Sequence, residues 1–488
     1  MNGAADTLFI GGNLVPAHAS ERIPVISPAT EEEFAAIPDA DGADVDAAVS
    51  SAYDALRTSG WAELTPVERA PYLRRLADIL ERRKEELGSL VSAQNGSLLA
   101  TSAWAQGSAA AGYYRYFAAL ADELEVETAN SARASGTVVR REPVGVAALI
   151  VPWNGPQGAI AWKLGPALAA GCTAVVKPAP ETSLDSYLLA EAIVEAGIPA
   201  GVVNIITGGR ETGGQLVSHP LVSKVAFTGS TVAGRKVALA CAETFKRVTL
   251  ELGGKSAAIL LDDVDLNDFA PFVASACAPF SGQICRALTR ILAPYDRYDE
   301  VVDVVVDALG SLRVGEPADP QTQLGPLVSS RQRDRVEGYI ASGVDEGAKL
   351  ALGGGRPAGF DRGYYVEPTV FRDADNAMRI AQEEIFGPVL TVIGYDDDED
   401  AIRIANDSPY GLGGAVFTSD RERGLGLARR IVSGSVGVNH YALALDAPFG
   451  GVKQSGIGRE LGPGALDAYL ETKSIYLPPL TAAQPAHE

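Results

Sequence analysis

The chain has 488 residues, 47% of them hydrophobic and 21% charged, too long for one core, so two or three domains are predicted. Lys and Arg number 41 against 62 Asp and Glu, a net charge of −21, which argues against nucleic acid and anionic membrane as partners. No signal peptide is legible before Arg22, and the most apolar run, Val144–Trp153, is too short to span a bilayer, so a cytoplasmic setting is expected.

Up to Leu124 the pattern is largely helical. Apolar residues recur at three-and-four spacing over Asp44–Thr58, Pro66–Asn95 and Thr101–Leu124. Leu124–Arg141 reads instead as two short strands around a polar Asn/Ser/Gly connection. From Val144 short β-branched runs alternate with helices: VGVAALIV, CTAVVKP, VVNIITG, KVAFTG and KRVTLEL, with helices over Thr182–Ala196 and Thr231–Glu243. Continuous apolar strands with crossover helices predict a parallel, doubly wound α/β sheet. A second α/β series follows the Gly253–Gly254 joint, with strands AAILLD, TRILAP, KLALGG, PVLTVIGY, GGAVFT and GSVGVN. Arg297–Gly310, Ser330–Glu346 and Asp420–Val432 read as its helices, and the tail PPLTAAQPAHE as frayed.

Ligands of such sheets bind beyond the carboxyl ends of the strands. Five segments there carry unusual chemistry. Asn154 of VPWN has a side-chain amide that can donate to an oxyanion. Lys177 of VVKPAP places a cation where a ribose or phosphate could sit. FTGST offers Gly229, Ser230 and a helix N-terminus to an anion. Glu251 of LELGGKS is a candidate general base. Cys285 of FSGQICRALTR lies beside a turn signal and a cation; a thiolate there would be a strong nucleophile. Each has a plain reading as well: a turn, an exposed lysine, a helix cap, a strand terminus and a packed thiol. The cysteines (172, 241, 277, 285) form no CxxC, and the four histidines form no cluster. Neither a disulfide framework nor a metal site is expected.

Taken together, in one chain order, these motifs resemble the NAD(P)-dependent aldehyde dehydrogenase superfamily. PWN, FTGSTxxG, ELGGKS, GQxC, EEIFGPV and APFGG followed by KQSGIGRE carry the resemblance, which runs from about Leu8 to Tyr476. It implies a Rossmann-like cofactor domain (1–123 and 142–253), an α/β catalytic domain (254–452) and a β-hairpin oligomerisation arm with the C-terminal segment (124–141 and 453–488). A homodimer or homotetramer is implied with it. By the same resemblance Cys285 attacks the aldehyde, Asn154 and the Cys285 N–H hold the oxyanion, and Glu251 activates the water that hydrolyses the thioester. Trp153, Lys177, Gly229, Ser230, Glu384 and Phe386 would hold the cofactor. The alternatives are a CoA-acylating semialdehyde dehydrogenase, which needs no general base, and a non-catalytic family member. Retention of Glu251, Cys285 and Asn154 argues against both.

Three features depart from the family pattern. Pro180 stands where many NAD-preferring members carry Glu, with Glu181 one residue later; NAD is the expected cofactor and NADP remains open. The small residues after Asn154 (Gly155, Pro156, Gln157, Gly158, Ala159) suggest a roomy pocket walled by Trp162, Ile284, Tyr441 and Phe449. A medium or bulky apolar aldehyde, terpenoid or aromatic, is the expected substrate. Arg286 follows the nucleophile directly. Residues of an extended segment alternate faces, so Arg286 is expected to point away and pair with an acid. Lowering the thiol pKa or binding an acidic substrate are the alternatives.

Overall fold

The computed structural model describes residues 6–130, 137–277 and 279–477. The connection of the arm (131–136) and the Pro/Ala-rich tail (478–488) lie outside the described residues.

Two large sheets organise the chain. The first has eight strands in the order Gly456–Ile457, Arg247–Glu251, Val222–Thr228, Val146–Ile150, Thr173–Lys177, Val203–Ile205, Thr7–Ile10 and Asn13–Pro16. The five strands from Arg247–Glu251 to Val203–Ile205 run parallel; the flanking ones are antiparallel. From Val146–Ile150 the chain winds outward one way through Thr173–Lys177, then returns to the other side at Val222–Thr228. That reversal opens a crevice at the strand ends where a ligand can lie. Burial on both faces explains the continuous apolar strands. Ala147 and Leu149 pack on one core and Val146, Ala148 and Ile150 on the other, as the two-residue period of a strand requires.

The second sheet orders Lys349–Leu352, Thr369–Arg372, Val389–Tyr395, Arg290–Pro294, Ala257–Leu260, Gly414–Phe417 and Gly437–Val438. All its pairings are parallel except the Lys349–Leu352 edge. A third, antiparallel sheet joins Leu470–Tyr476, Thr137–Pro143 and Glu127–Asn130. Within 453–477 the chain thus does more than extend the arm. Gly456–Ile457 closes the edge of the first sheet, and Ala465, Leu466 and Tyr469 enter its core.

The N-terminal region corrects the helical expectation. Four strands (Thr7–Ile10, Asn13–Pro16, Arg22–Ile26, Glu33–Pro38) precede the first helix, Gly42–Thr58. The turn of the first hairpin is Gly11–Gly12 with φ +63 and +81, conformations that glycine adopts at little cost. Pro66–Asn95 is two helices, Pro66–Arg82 and Lys84–Asn95, broken at Arg83. No Gly or Pro stands at the break itself. Gly88 lies so close to the Ala103 backbone that a Cβ would come within 2.4 Å of its nitrogen, and Gly107 sits likewise against Lys84. Tertiary packing fixes the angle. Gly107 belongs to a π turn, Trp104–Ser108, inside the third expected helix.

Candidate active site

The strand ends of the first sheet and one loop of the second bring the flagged residues together. The loop leading to Cys285 is bent by three successive positive φ values, Phe280 (48), Ser281 (56) and Gly282 (72). Such strain persists only where the surroundings enforce it. Here the Ser281 hydroxyl donates to the Gly325 carbonyl (2.8 Å), and Gln283 Nε2 donates to the Phe280 carbonyl (2.8 Å) while its Oε1 accepts from the Val328 N–H (3.1 Å). A Cβ on Gly282 would come within 2.3 Å of the Gly387 carbonyl.

Cys285 and Arg286 are turn residues, and the Ala287 N–H donates to the Ile284 carbonyl at 3.1 Å. The segment is therefore not extended, and the alternation argument for Arg286 fails. Arg286 makes no ion pair with any described acid; its guanidinium carbon lies 5.5 Å from the centre of the Tyr441 ring. Asn154, just past Val146–Ile150, donates through Nδ2 to the Gln283 carbonyl at 2.8 Å. An amide has two N–H donors, so one is left for another acceptor. Gly254 supports the turn from the other side, where a Cβ would meet the Cys285 carbonyl at 2.4 Å. Burial pushes the Cys285 thiol up to about 12; the Glu384 and Glu251 carboxyls add to the rise, and Arg286 opposes it.

Glu251 ends the Arg247–Glu251 strand with both carboxyl oxygens buried and without hydrogen-bond partners. A Cβ on Gly450 would lie 2.5 Å from its Oε1. Burial holds the carboxyl well above the usual range, and Glu460 adds to this; Lys163 and Arg459 oppose. Lys163 is itself fully buried, donating to Glu460 Oε1 and to the Thr228 hydroxyl, each at 2.6 Å. Sequence reasoning missed this pair. Its one signal is a lysine inside the apolar run of the Pro156–Ala170 helix.

The residues flagged for a cofactor make specific contacts. Trp153 and Phe386 meet edge to face, with ring centres 5.3 Å apart. Glu384 lies against Gly253–Gly254, accepting from the Gly254 N–H at 3.2 Å, and burial pushes its carboxyl up to about 7. Lys177 is buried, donates to the Pro178 carbonyl at 3.0 Å, and is pushed down to about 8 by desolvation. Ser230 caps the Thr231–Ala242 helix. Gly229 donates to the Glu251 carbonyl at 3.0 Å and packs on the Phe227 ring. Glu181 takes a hydrogen bond from Arg331 at 3.2 Å.

Beside Cys285 stands an aromatic wall. Trp162 meets Phe449 and Tyr113, each with ring centres 5.5 Å apart. The hydroxyls of Tyr441 and Ser435 lie 2.8 Å apart. Tyr113 was not legible as a neighbour of Trp162, because it comes from the Ala109–Glu123 helix, far upstream in the chain. Among the described residues no group of His, Cys, Asp and Glu is arranged to hold a metal, and no helix is long and apolar enough to cross a membrane.

The doubly wound fold, with a thiol, an amide and a carboxyl brought near one another, is that of an oxidoreductase acting on aldehydes. The chain belongs to the aldehyde dehydrogenase family, whose sequence model matches residues 14–475. It is 49% identical over 471 residues to a geranial dehydrogenase from Castellaniella defragrans, covering 96% of this chain and 98% of that protein. It is 41% identical over 473 residues to a betaine aldehyde dehydrogenase from Brucella canis, with 96% of each covered. The fold superposes with TM-score 0.95 on a Mycobacterium tuberculosis aldehyde dehydrogenase complexed with NAD+ (46% identity; 98% of this chain, 99% of the other). It superposes with TM-score 0.94 on a mutant of Pseudomonas syringae aldehyde dehydrogenase C complexed with NAD+ and octanal (41% identity; 97% of each).

Proposed function

We propose that this enzyme oxidises a medium or bulky apolar aldehyde, terpenoid or aromatic, to its carboxylic acid with NAD. The observation that carries the chemistry is the strapped Cys285 turn: Asn154 reaches it through Gln283, Gly254 supports its carbonyl, and Glu251 lies nearby with two unpartnered oxygens. The Cys285 sulfur attacks the aldehyde carbon. The free N–H of the Asn154 amide and the Cys285 main-chain N–H receive the oxyanion. Trp153, Phe386, Glu384, Lys177 and the Gly229–Ser230 turn suit a dinucleotide, because they offer aromatic faces, a carboxyl, a cation and a helix N-terminus. When bound, NAD accepts the hydride released as the adduct becomes a thioester. Glu251 then takes a proton from the water that attacks the thioester, and Cys285 leaves as thiolate. Splitting the oxidation into two covalent steps lowers each barrier.

The division of labour follows the sheets: 1–123 with 142–253 hold the cofactor and 254–452 carry the nucleophile. The arm sheet ends in strands whose outer edges are unpaired among the described residues, and open edges favour pairing with another copy. A homodimer or homotetramer follows, to be read by light scattering. The free cysteines Cys172, Cys241 and Cys285 suit a reducing, cytoplasmic setting.

The terpenoid or aromatic assignment rests on the Tyr113–Trp162–Phe449 wall and on the likeness to a geranial dehydrogenase. NAD(P)H absorbance, followed with a graded aldehyde panel, both cofactors, and CoA present or absent, tests it. The highest kcat/KM is expected for bulky aldehydes with NAD, independent of CoA. A maximum for short aliphatic aldehydes overturns the substrate assignment. Dependence on CoA overturns the hydrolytic one.

A further inference from the structure

Arg286 is the one flagged residue that the family chemistry leaves without a task. It shares a turn with Cys285 and has no acidic partner among the described residues; its guanidinium rests on the Tyr441 face. The groups around the sulfur are unfavourable to a negative charge. Glu251 approaches from the end of the first sheet, Glu384 from the loop before Phe386, and Tyr441 from the segment after Gly437–Val438. Tyr113, on the Ala109–Glu123 helix, faces Arg286 rather than the sulfur. Among the described charged side chains acting on Cys285, Arg286 is the one that favours the thiolate; its main-chain N–H acts in the same sense. A thiol flanked by two carboxyls needs a cation to ionise at working pH.

We propose that Arg286 acts through Cys285, its guanidinium, braced on Tyr441, serving as the counter-charge that favours ionisation of the sulfur. Tyr441 is the brace: a guanidinium over an aromatic face is held without the neutralising carboxylate that would cancel its effect. The proton leaves to solvent, and no redox partner is required. The inference rests on Cys285 being the nucleophile.

The test is the pH dependence of iodoacetamide alkylation at Cys285, read by peptide mass spectrometry on the purified oligomer. Wild type is compared with Arg286→Gln, Arg286→Met and Arg286→Lys. Loss of one nearby opposite charge lowers the thiolate fraction by about tenfold, so the neutral variants should alkylate about tenfold more slowly at pH 8. Lysine should restore most of the rate, which lost packing alone would not explain. If one neutral variant fails to fold, the other carries the comparison. Superimposable pH profiles in all four proteins overturn the proposal. So does a fall in kcat/KM without a change in alkylation, which makes Arg286 a substrate contact instead. If wild-type Cys285 takes no label while other cysteines do, the assignment of the nucleophile falls as well.

Discussion

The side-chain amide of Asn154 donates to the main-chain carbonyl of Gln283 at 2.8 Å, so a strand end of the first sheet grips the loop of the second that presents Cys285. The same amide that is proposed to hold the oxyanion therefore also positions the proposed nucleophile. Asn154→Ala is expected to raise the barrier by about 2.7–4 kcal/mol, the usual cost of one oxyanion donor. Steady-state kcat with an unchanged KM for NAD checks this.

Gly254 sets the opposite side of the turn. A Cβ there would stand 2.4 Å from the Cys285 carbonyl, a backbone atom that cannot swing away. Gly254→Ala should displace the thiol by a few tenths of an ångström or more and lower kcat about a hundredfold, the scale of such misplacements. A circular dichroism spectrum like that of wild type would show that the loss is local.

The pH profile should report the Lys163–Glu460 pair. As the proposed base Glu251 would act only when ionised, so activity is expected to rise with pH through its elevated pKa. Glu460 raises that pKa and Lys163 lowers it. Glu460→Gln should therefore move the acid limb of kcat to lower pH, and Lys163→Met should move it higher. Each also breaks a buried ion pair, at a cost of about 3–5 kcal/mol of stability, so melting temperatures should fall in both while the acid limbs diverge.

Asp185 gives a separate test, of stability. Its carboxylate is fully buried, held by Gln94 Nε2 (3.1 Å) and Gln157 Nε2 (2.6 Å), and burial pushes it up to about 6 from 3.8. Between those values the folded chain binds more protons at this site than the unfolded one, so its contribution to stability falls as pH rises. Asp185→Asn should have its most favourable effect on melting temperature at pH 7, smaller at pH 4. A difference independent of pH would contradict the burial argument.

What the sequence made legible was local. Strand ends, glycine turns and the cysteine loop are written in neighbouring residues, so PWN, ELGGKS and GQxC could be read directly. Contacts between distant segments could not. Lys163 meets Glu460 across 297 positions. Tyr113 meets Trp162 through the packing of the Ala109–Glu123 helix on the Pro156–Ala170 helix, where Gly165 lies against the Phe117 ring. The N-terminal strands were obscured because they are short and half exposed, although Gly11–Gly12 marked their first turn. Arg286 was misread for a single reason: an extended segment was assumed where a turn occurs.

The central claim is that Cys285 carries the acyl group and Glu251 releases it. The most direct measurement is the mass of Glu251→Gln after brief mixing with NAD and a bulky aldehyde. The account predicts an increase equal to the acyl group, mapped to the Cys285 peptide and reversed by hydroxylamine. An unmodified Cys285 in a variant that still produces NADH would contradict it.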